Sequence, residues 1–543
     1  MKINWNRNYS LWLFLMAVGF YIPFIGNVHL FDWDEINFAE SSREMIVSGD
    51  YFRVMIGFEP FWEKPPLFFW LQSAAMHVFG VNEFAARLPN ALFGIITLLT
   101  IFYIGKKEAD PRFGWLWALL YFGSFLPHLY FKSGIIDPIF NYFIFLSIYY
   151  LMRALQRSED KLKNATIAGC ASGLAILTKG PVGLLILILT LLVALIVYRF
   201  KYLPRLKDVA IFAVSAFVIS FLWYGPEVIN NGFWFVSEFI KYQIDLFRNP
   251  VAGHSQPFYY HFVVVLVGCF PMSVYALKGF RFKVGNNSYF NDLTIWMNIL
   301  FWVVIILFTI VTTKIVHYSS MTYLPLSFIA ALYISKLENK QFSIPRWILI
   351  IYLTIGCLFG LILTLVPIIP MLIKHIAPLI DDPFAVAGLV KPVKWFGWEW
   401  LIGLGFIGMV LYSFILFKKG LIYKAVVRMS FSVSSVLLLY MVFVLPKIES
   451  HTQGSLITFL EEVKNEDAYV MTHGFYSYAP FFYFQQPNEN NNKRADKGWL
   501  LNGDVDKPVY IVSKITDEYL PTRNDLRLIK EEGGFRFFIR KKK

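Results

Sequence analysis

The sequence has few charged residues and very few cysteines for its length. Only 16% of its 543 residues are Asp, Glu, Lys or Arg, whereas a soluble globular protein carries about a quarter. The three cysteines, Cys170, Cys269 and Cys357, lie inside apolar runs, and their spacing fits neither a disulfide framework nor a metal motif. The chain also lacks an internal repeat, which argues against a transporter built from inverted halves.

Hydrophobic residues, in contrast, make up 57% of the chain, and the mean hydropathy is +0.53. Apolar runs of about 20 residues recur along most of the length, and each can span a hydrocarbon core about 30 Å thick. The runs are continuous rather than alternating, which excludes a strand barrel. We therefore predict an all-α polytopic membrane protein with about 13 transmembrane helices, near residues 9–27, 84–105, 113–131, 137–155, 164–179, 181–198, 208–226, 258–277, 293–312, 318–335, 347–368, 397–417 and 429–445.

The distribution of Lys and Arg predicts the orientation of this bundle. If the N-terminus is cytoplasmic, every second loop is basic, as the positive-inside rule requires. The net charge of +13 is therefore explained without a nucleic-acid partner. The first apolar run lacks a cleavage site, so we expect it to remain as the first helix.

The composition changes after Leu445, which predicts two parts of the chain. Residues 1–445 form the transmembrane domain, and its largest outward loop covers 27–83, in which the short apolar segment 64–79 predicts a helix that lies in the membrane interface rather than spanning it. Residues 446–543 form a small soluble α/β domain on the same outer side. Its pattern predicts strands at 467–475 and 507–515, an amphipathic helix at 455–466 and a hairpin at 527–540.

The segment 31–67 concentrates eight acidic residues in one loop of an otherwise apolar part of the chain. Carboxylates set between membrane helices are costly and indicate function by default. Asp34 and Glu35 directly follow the outer end of the first helix, where a carboxylate can stay ionised and face a dry pocket. We predict Asp34 as the catalytic base and Glu35 as a second catalytic carboxylate beside it; the alternative is a pair of solvated loop acids.

Three further outer positions carry candidate residues. Lys64 follows Glu63 and precedes two prolines that fix its position at the membrane surface, where an ammonium can hold a phosphate or simply snorkel. Asp137, in an Asp-Pro pair, begins a predicted helix, and capping alone would also explain it. Lys179 sits at a tight turn between two apolar runs, where a lysine is expensive unless it meets an anion.

The last candidates are a pair of metal ligands and a group of three polar residues within 314–318. Glu63 and His254 are candidate ligands of one divalent metal ion, although two ligands define a metal site poorly. Lys314, His317 and Tyr318 lie near the outer end of another span, where snorkelling and an interfacial aromatic belt are alternatives. All these positions map to one membrane surface, which suits a site that grips a lipid-linked phosphate and activates a hydroxyl.

Several motifs resemble those of the bacterial 4-amino-4-deoxy-L-arabinose transferases of lipid A, which belong to the GT-C class with the protein O-mannosyltransferases. The resemblance covers roughly residues 10–330. It rests on the Asp34-Glu35 pair, Glu40, Arg43-Glu44-Met45 and Gly49-Asp50, and on the stretches EKPPL, EFAARLP, LTKGP, GHSQPFYY and KIVHY together with Asp137-Pro138.

The resemblance implies an inner-membrane, undecaprenyl phosphate-dependent enzyme of lipopolysaccharide modification whose site opens to the periplasm. It implies a polyprenyl-phosphate sugar donor, transfer by inversion, and lipid A or another periplasmic acceptor. By matching position, Asp34 is the catalytic carboxylate and Asp137 its partner. Lys64, Lys179 and Tyr318 would contact the donor phosphate, and Glu63 and His254 would coordinate a metal. Asn37 stands where this family usually has an arginine, and we predict it as a further donor-phosphate-binding residue.

The expected reaction is a single displacement of polyprenyl phosphate by an acceptor oxygen. Asp34 takes the acceptor proton or orients an acceptor phosphate, while Lys64 and Lys179 hold the leaving phosphate. Two alternatives stay open: another lipid-linked glycan transferase, such as a protein O-glycosyltransferase, and a non-enzymatic flippase of lipid-linked sugars.

Overall fold

The computed structural model describes residues 8–157, 159–248, 256–280, 288–341, 343–485, 493 and 496–542. Helices dominate up to Phe443. They are α1 Tyr9–Tyr21, α2 Asp34–Ser48, α3 Leu67–Phe79, α4 Glu83–Glu108, α5 Pro111–Phe122, α6 Phe125–Tyr130, α7 Asp137–Gln156, α8 Lys161–Lys179, α9 Val182–Val197, α10 Leu206–Asn231, α11 Trp234–Arg248, α12 Tyr260–Gly268, α13 Met272–Gly279, α14 Ser288–Ile310, α15 Tyr323–Glu338, α16 Arg346–Leu365, α17 Ile373–Ile376, α18 Pro383–Val390, α19 Trp400–Lys418 and α20 Ile422–Phe443.

Each of the 13 predicted spans falls on helical residues, and the all-α membrane fold is confirmed. Within the described residues, seven helices are long and apolar enough to cross a membrane by themselves: Glu83–Glu108, Asp137–Gln156, Leu206–Asn231, Tyr289–Ile310, Arg346–Leu365, Trp400–Lys418 and Ile422–Phe443. The predicted span 258–277 is broken into α12 and α13, which are bent by 114°. The other predicted spans fall on helices that are shorter, more polar or interrupted.

A large apolar core joins the membrane helices. Its largest fully buried side chains include Trp117, Trp296 and Tyr149. The indole N–H of Trp117 donates to Ser327 Oγ at 2.9 Å, so this buried donor is satisfied inside the bundle. Because interiors are close-packed, a core of this kind can hold the helix ends at one surface in fixed positions.

The two helices of the acidic loop lie beside the helix ends rather than within the row of long apolar helices. Helix α2 is buried along most of its length although its sequence is polar. It ends at Gly49, whose φ of +73° is the left-handed cap that glycine adopts without strain. A short hairpin of β1 Met55–Ile56 and β2 Glu59–Pro60 follows, and α3 begins directly after Pro66, in agreement with the predicted short helix.

Buried charges hold α2 to this hairpin. Arg43 donates two hydrogen bonds to Glu40, both at 2.7 Å. Glu44 accepts the backbone N–H groups of Gly57 and Phe58 at 2.6 and 2.8 Å. Burial, reinforced by the neighbouring Glu40, raises the pKa of the Glu44 carboxyl. Arg43 and Glu44 of the Arg-Glu-Met motif therefore stabilise the fold of this loop.

The residues after Phe443 form a small α/β unit. It comprises α21 Leu445–Thr452, α22 Gly454–Glu462, β3 Tyr469–His473, α23 Ala479–Phe484, α24 Lys497–Asn502, β4 Val509–Lys514, β5 Leu526–Glu532 and β6 Phe535–Arg540. The sheet order is β3-β4-β6-β5, with β3 parallel to β4 and the other pairs antiparallel. The predicted strands, helix and hairpin of this part are confirmed, and the hairpin turns at Gly533 and Gly534.

This unit packs against the segment that connects α1 to α2. The Tyr483 hydroxyl accepts the backbone N–H of Leu30 at 2.7 Å and donates to Glu83 at 3.1 Å. The Gln453 side chain donates to the carbonyl of Leu30 at 2.8 Å. The C-terminal unit and the acidic loop therefore lie at the same end of the helical part.

Candidate active site

Arg87, in the EFAARLP stretch of α4, fixes the chain that leads into α2. Its guanidinium donates to the carbonyls of Ile25, Val28 and His29 at 2.7, 2.7 and 3.0 Å. It also makes a two-pronged pair with Glu35 at 2.9 and 2.7 Å. A planar guanidinium suits this combination of carboxylate and carbonyl acceptors. The start of α2 is therefore held from the side by a rigid buried group.

Glu35 extends this scaffold to the chain before α7. Its Oε1 accepts the backbone N–H of Gly134 at 2.6 Å. The amide of Asn90 donates to the carbonyls of Ser133 and Ile135, both at 2.6 Å, and pins the same turn. One network thus sets the starts of both α2 and α7.

The structure favours a positioning role for Glu35 rather than the predicted catalytic one. The residue is only 6% exposed, and both of its carboxylate oxygens are engaged by Arg87. The backbone N–H of Phe31 donates to it as well, at 3.0 Å. The pairing with Arg87 outweighs burial and lowers the pKa of Glu35, so it stays ionised as a structural anion.

Asp34 is the first residue of α2, where the positive end of the helix dipole favours a carboxylate. His317 Nε2 lies 3.3 Å from Asp34 Oδ2. Burial by itself would raise the pKa of the Asp34 carboxyl. The contact with His317 outweighs burial and, with the charges of Lys64 and Lys179, lowers that pKa below its ordinary value of 3.8. Asp34 is therefore an ionised carboxylate surrounded by cations.

His317 links Asp34 to the bundle. It lies in the 3₁₀ helix Val316–Thr322, and its Nδ1 is 3.4 Å from the hydroxyl of Tyr130. Burial would lower the pKa of His317, but Asp34 and Asp137 together raise it above 6.5. With one ring nitrogen on Asp34 and the other near Tyr130, the histidine is placed to orient the carboxylate.

The Asp34–His317 pair predicts a pH dependence of stability. Because folding lowers the pKa of Asp34, its ionised carboxylate stabilises the fold above pH 3.8. This stabilisation is lost as the pH falls through the lowered pKa. Because folding raises the pKa of His317, its protonated ring stabilises the fold below pH 6.5. This stabilisation is lost as the pH rises through the raised pKa. The full contribution, about 1 kcal/mol or less for a partly exposed pair, is therefore present between pH 3.8 and 6.5.

Thermal unfolding of the wild type and of His317→Gln in detergent, between pH 5 and 9, tests this dependence. The gap between the two midpoints should be largest near pH 5 to 6 and should shrink at alkaline pH. A gap that stays constant over the whole range would contradict the charged pair.

Asp137 and Lys179 form the second ion pair of the site. Asp137 begins α7 and is 5% exposed, and Lys179 Nζ donates to its Oδ1 at 2.6 Å. The same ammonium lies 5.5 Å from the ring centre of Tyr318 and 5.8 Å from that of Phe140. Aromatic faces attract such a cation. Asp137 takes one of the three N–H donors of the ammonium, which leaves donors for another anion.

The position of Lys179 follows from the turn behind it. Lys179 ends α8, where the negative end of the helix dipole favours a cation. Gly180 follows with φ of +82°, and a Cβ there would lie 2.2 Å from the ring of Phe239. Only glycine fits both requirements. The Lys-Gly-Pro motif thus reverses the chain tightly between α8 and α9 and leaves Lys179 at the helix end.

Lys64 has two partners of its own. Its Nζ is 3.6 Å from Glu63 Oε2 and 5.6 Å from the ring centre of Tyr242. The Tyr242 hydroxyl donates to Glu63 at 2.9 Å. Tyr242 belongs to α11, so this helix contacts the segment that carries Lys64.

The proposed metal ligands are only partly covered by the structure. His254 lies outside the described residues. Glu63 already contacts Tyr242 and Lys64, and within the described ranges no group of three or more His, Cys, Asp or Glu residues is arranged to hold an ion. The metal therefore stays a prediction.

Two other candidates differ in their surroundings. Asn37 lies one turn after Asp34 on α2 and is 3% exposed, and its side-chain oxygen has no hydrogen-bond partner among the described residues. A buried unpaired acceptor is costly and is typical of a functional position. Lys314 is buried, and its ammonium donates to the carbonyl of Val311 at 2.8 Å.

The structure brings most of the predicted site together. Asp34, Asp137, Lys64, Lys179 and Tyr318 are coupled by ion pairs, ring contacts or charge effects. Sequence reasoning missed Tyr242 and Tyr130. Tyr242 had a usable signal, since the apolar residues of 234–248 recur at helical spacing and leave Tyr242 among polar neighbours. Tyr130 had none, because its contact with His317 joins positions 187 residues apart, which no local pattern shows.

Comparison with known proteins gives one family and two kinds of fold neighbour. Residues 63–224 match the family dolichyl-phosphate-mannose-protein mannosyltransferase. Among curated proteins, the undecaprenyl phosphate-alpha-4-amino-4-deoxy-L-arabinose arabinosyl transferase of Edwardsiella ictaluri is 26% identical over 65% of this chain and 64% of its own length. That of Proteus mirabilis is 28% identical over 63% of this chain and 62% of its own. The aligned part thus spans less than two thirds of these relatives.

Solved structures match over nearly the whole chain. ArnT from Cupriavidus metallidurans bound to undecaprenyl phosphate has a TM-score of 0.78 at 17% identity and covers 97% of both chains. The archaeal oligosaccharyltransferase AglB from Archaeoglobus fulgidus has a TM-score of 0.53 at 11% identity, covering 94% of this chain and 70% of its own. The fold predicted from the motifs is confirmed, and the resemblance that they indicated is confirmed with it.

Proposed function

We propose that this chain, a 4-amino-4-deoxy-L-arabinose transferase-like protein of the GT-C class, is a membrane glycosyltransferase that uses a polyprenyl-phosphate sugar. The observation that carries the proposal is a cluster of charges at helix ends, in which Asp34 contacts His317 and Asp137 pairs with Lys179, with Lys64 close enough for its charge to act on Asp34. Cations placed beside a carboxylate at helix ends suit a reaction in which a phosphate leaves and a hydroxyl attacks. The donor sugar is proposed as 4-amino-4-deoxy-L-arabinose and the acceptor as lipid A, by analogy with the relatives' names.

The proposed reaction is one inverting displacement. Asp34 takes the proton of an acceptor hydroxyl, or orients an acceptor phosphate, and the acceptor oxygen forms a bond to the anomeric carbon. The bond between that carbon and the phosphate oxygen of the donor breaks, and polyprenyl phosphate leaves as an anion. Lys64 and Lys179 neutralise this anion, and His317 keeps Asp34 aligned. A phosphate leaves readily, so the reaction needs no general acid.

The setting proposed for this chemistry is the periplasmic face of the inner membrane. The distribution of Lys and Arg supports a cytoplasmic N-terminus, and the site lies at the same end as the C-terminal unit. Asn37 would then contact the donor through its amide, where an arginine would supply a charge, and this difference bears on which donor is accepted.

One incubation experiment tests both the class and the substrates. Purified full-length protein in nanodiscs receives a panel of undecaprenyl-phosphate sugars with either lipid A or an unfolded peptide rich in Ser and Thr, and products are identified by mass. We expect 4-amino-4-deoxy-L-arabinose to be transferred to lipid A with inversion at its anomeric carbon. The peptide covers the second candidate, protein O-glycosylation, which the match of residues 63–224 favours.

The outcomes separate the class from its details. Donor consumption without lipid A modification would remove the aminoarabinose assignment and keep the transferase class. Absence of any product with every donor would contradict the class itself.

A further inference from the structure

An exposed aromatic surface borders the site where the C-terminal unit meets the acidic loop. Trp33, the residue before Asp34, and Tyr476, which follows β3, are each 49% exposed. Their ring centres are 5.1 Å apart with planes tilted by 38°. Tyr478 packs edge-on against both, at 5.2 and 5.1 Å. We call Trp33, Tyr476 and Tyr478 the aromatic platform.

The platform is fixed by backbone hydrogen bonds of its neighbours, while the side chains of Trp33 and Tyr476 stay about half exposed and the 9% exposed Tyr478 packs against both. Asp32 Oδ1 accepts the backbone N–H of Tyr478 at 3.2 Å. The side chain of Gln453 accepts the backbone N–H of Asp32 at 3.3 Å. These bonds tie residues 32 and 33 to the C-terminal unit, so a ligand would meet a surface that is already ordered. Preorganisation of this kind lowers the cost of binding.

The platform is continuous with the site. Trp33 precedes Asp34 directly in the chain. The Glu63 carboxylate is close enough to Tyr476 and Tyr478 that its charge, added to burial, raises the pKa of both phenols. Glu63 in turn contacts Lys64 and Tyr242. A ligand resting on the platform would therefore place a group beside Asp34.

A cation completes the surface. Lys497, the first residue of α24, is exposed, and its ammonium lies 5.2 Å from the ring centre of Tyr476. Aromatic rings offer broad apolar faces with polar edges, which suit the C–H faces of a sugar ring. An ammonium at the edge of such a face adds a point charge that can hold a phosphate.

We propose that the aromatic platform and Lys497 bind the acceptor as a phosphorylated saccharide headgroup and present its nucleophilic oxygen to Asp34. This inference rests on the proposed transferase function and adds an acceptor subsite built jointly by the acidic loop and the C-terminal unit. It also gives the C-terminal unit a role in binding.

Equilibrium binding to the full-length protein in nanodiscs tests the subsite without turnover. The probes are diphosphoryl lipid A, monophosphoryl lipid A and undecaprenyl phosphate. Tyr476→Ala should raise the Kd of both lipid A forms about tenfold. Lys497→Met should remove the preference for the diphosphoryl form. Both variants should bind undecaprenyl phosphate within about twofold of the wild type, since neither residue touches Lys64 or Lys179.

Tyr519→Ala is the matched control. Tyr519 is a 52% exposed tyrosine of the same unit that packs on His473 and Arg523. It should leave every Kd unchanged. Wild-type protein that does not bind lipid A, or Tyr476→Ala that binds it normally, overturns the subsite.

The two proposals fail in different ways. Binding of lipid A that depends on Tyr476, with no sugar transfer, would remove the transferase function and keep the subsite. Transfer with an unchanged acceptor KM in Tyr476→Ala would remove the subsite and keep the transferase.

Discussion

Asp34→Asn is expected to lower sugar transfer by about 10²–10⁴-fold, the range associated with a positioned general base. Asparagine keeps the size of the side chain but cannot accept the proton, and it removes the charge that faces His317. The donor contacts proposed for Lys64 and Lys179 do not need this carboxylate, so the Kd for undecaprenyl phosphate should change little. Single-turnover transfer and equilibrium binding, measured on the same preparation, separate the two effects.

Asp50→Asn is the matched control for this substitution. Asp50 lies in the same loop, where its Oδ1 caps the backbone N–H groups of Phe52 and Arg53, and an amide oxygen can do the same. Transfer by this variant should stay near the wild-type rate. Asp34→Asn that retains more than about a tenth of wild-type turnover would exclude the base role.

The same variant separates an enzyme from a flippase. An enzyme loses product formation and still binds lipid-linked sugar. A carrier makes no product in either form, and the substitution would alter movement of the sugar lipid across the bilayer instead. The charges of the site gather at helix ends rather than at the centre of the bundle, which favours the enzyme.

The helices could be predicted from local sequence, because a long apolar run indicates a buried helix without information from the rest of the chain. Where a helix is interrupted inside an apolar run, the predicted span is longer than the helix in the structure. The predicted helix 113–131 is interrupted at Gly123 and Ser124, and the predicted helix 258–277 bends near Phe270 and Pro271. An apolar run that continues through such a break carries no periodicity signal for it.

The site was predictable in its residue types and only partly in their roles. Asp34 and Lys179 are charged residues beside apolar helices, and such residues indicate a functional site from sequence alone. Glu35 looked equivalent to Asp34, and its partner Arg87 is 52 positions away, so no local pattern shows that it is already paired. His317 was noted only as part of a cluster, since its contact with Asp34 exists only in the folded chain.

The C-terminal unit shows the same limit. Its strands alternate and end at turn residues, so each could be predicted. The contacts of Tyr478 with Asp32 and Trp33 join positions more than 440 residues apart. Sequence pattern places both segments on the outer side without indicating that they share a surface.

Lys179→Met is expected to lower transfer by about 10²–10³-fold, because it removes the cation proposed to stabilise the leaving phosphate in a low-dielectric site. The Kd for undecaprenyl phosphate should rise as well, unlike in Asp34→Asn. The substitution also leaves Asp137 as an unpaired carboxylate that is 5% exposed. Loss of one partner of such a buried pair costs about 3–5 kcal/mol of stability, which thermal unfolding would show.

A double variant distinguishes lost chemistry from lost stability. Lys179→Met with Asp137→Asn no longer contains the buried unpaired charge, so its unfolding midpoint should return toward that of the wild type. Transfer and donor binding should stay low, because the ammonium is still absent. Lys201→Met, at an exposed lysine that lies over Tyr202, should change neither quantity. Recovery of transfer in the double variant would mean that Lys179 acts only by neutralising Asp137, and the phosphate-binding role would then be wrong.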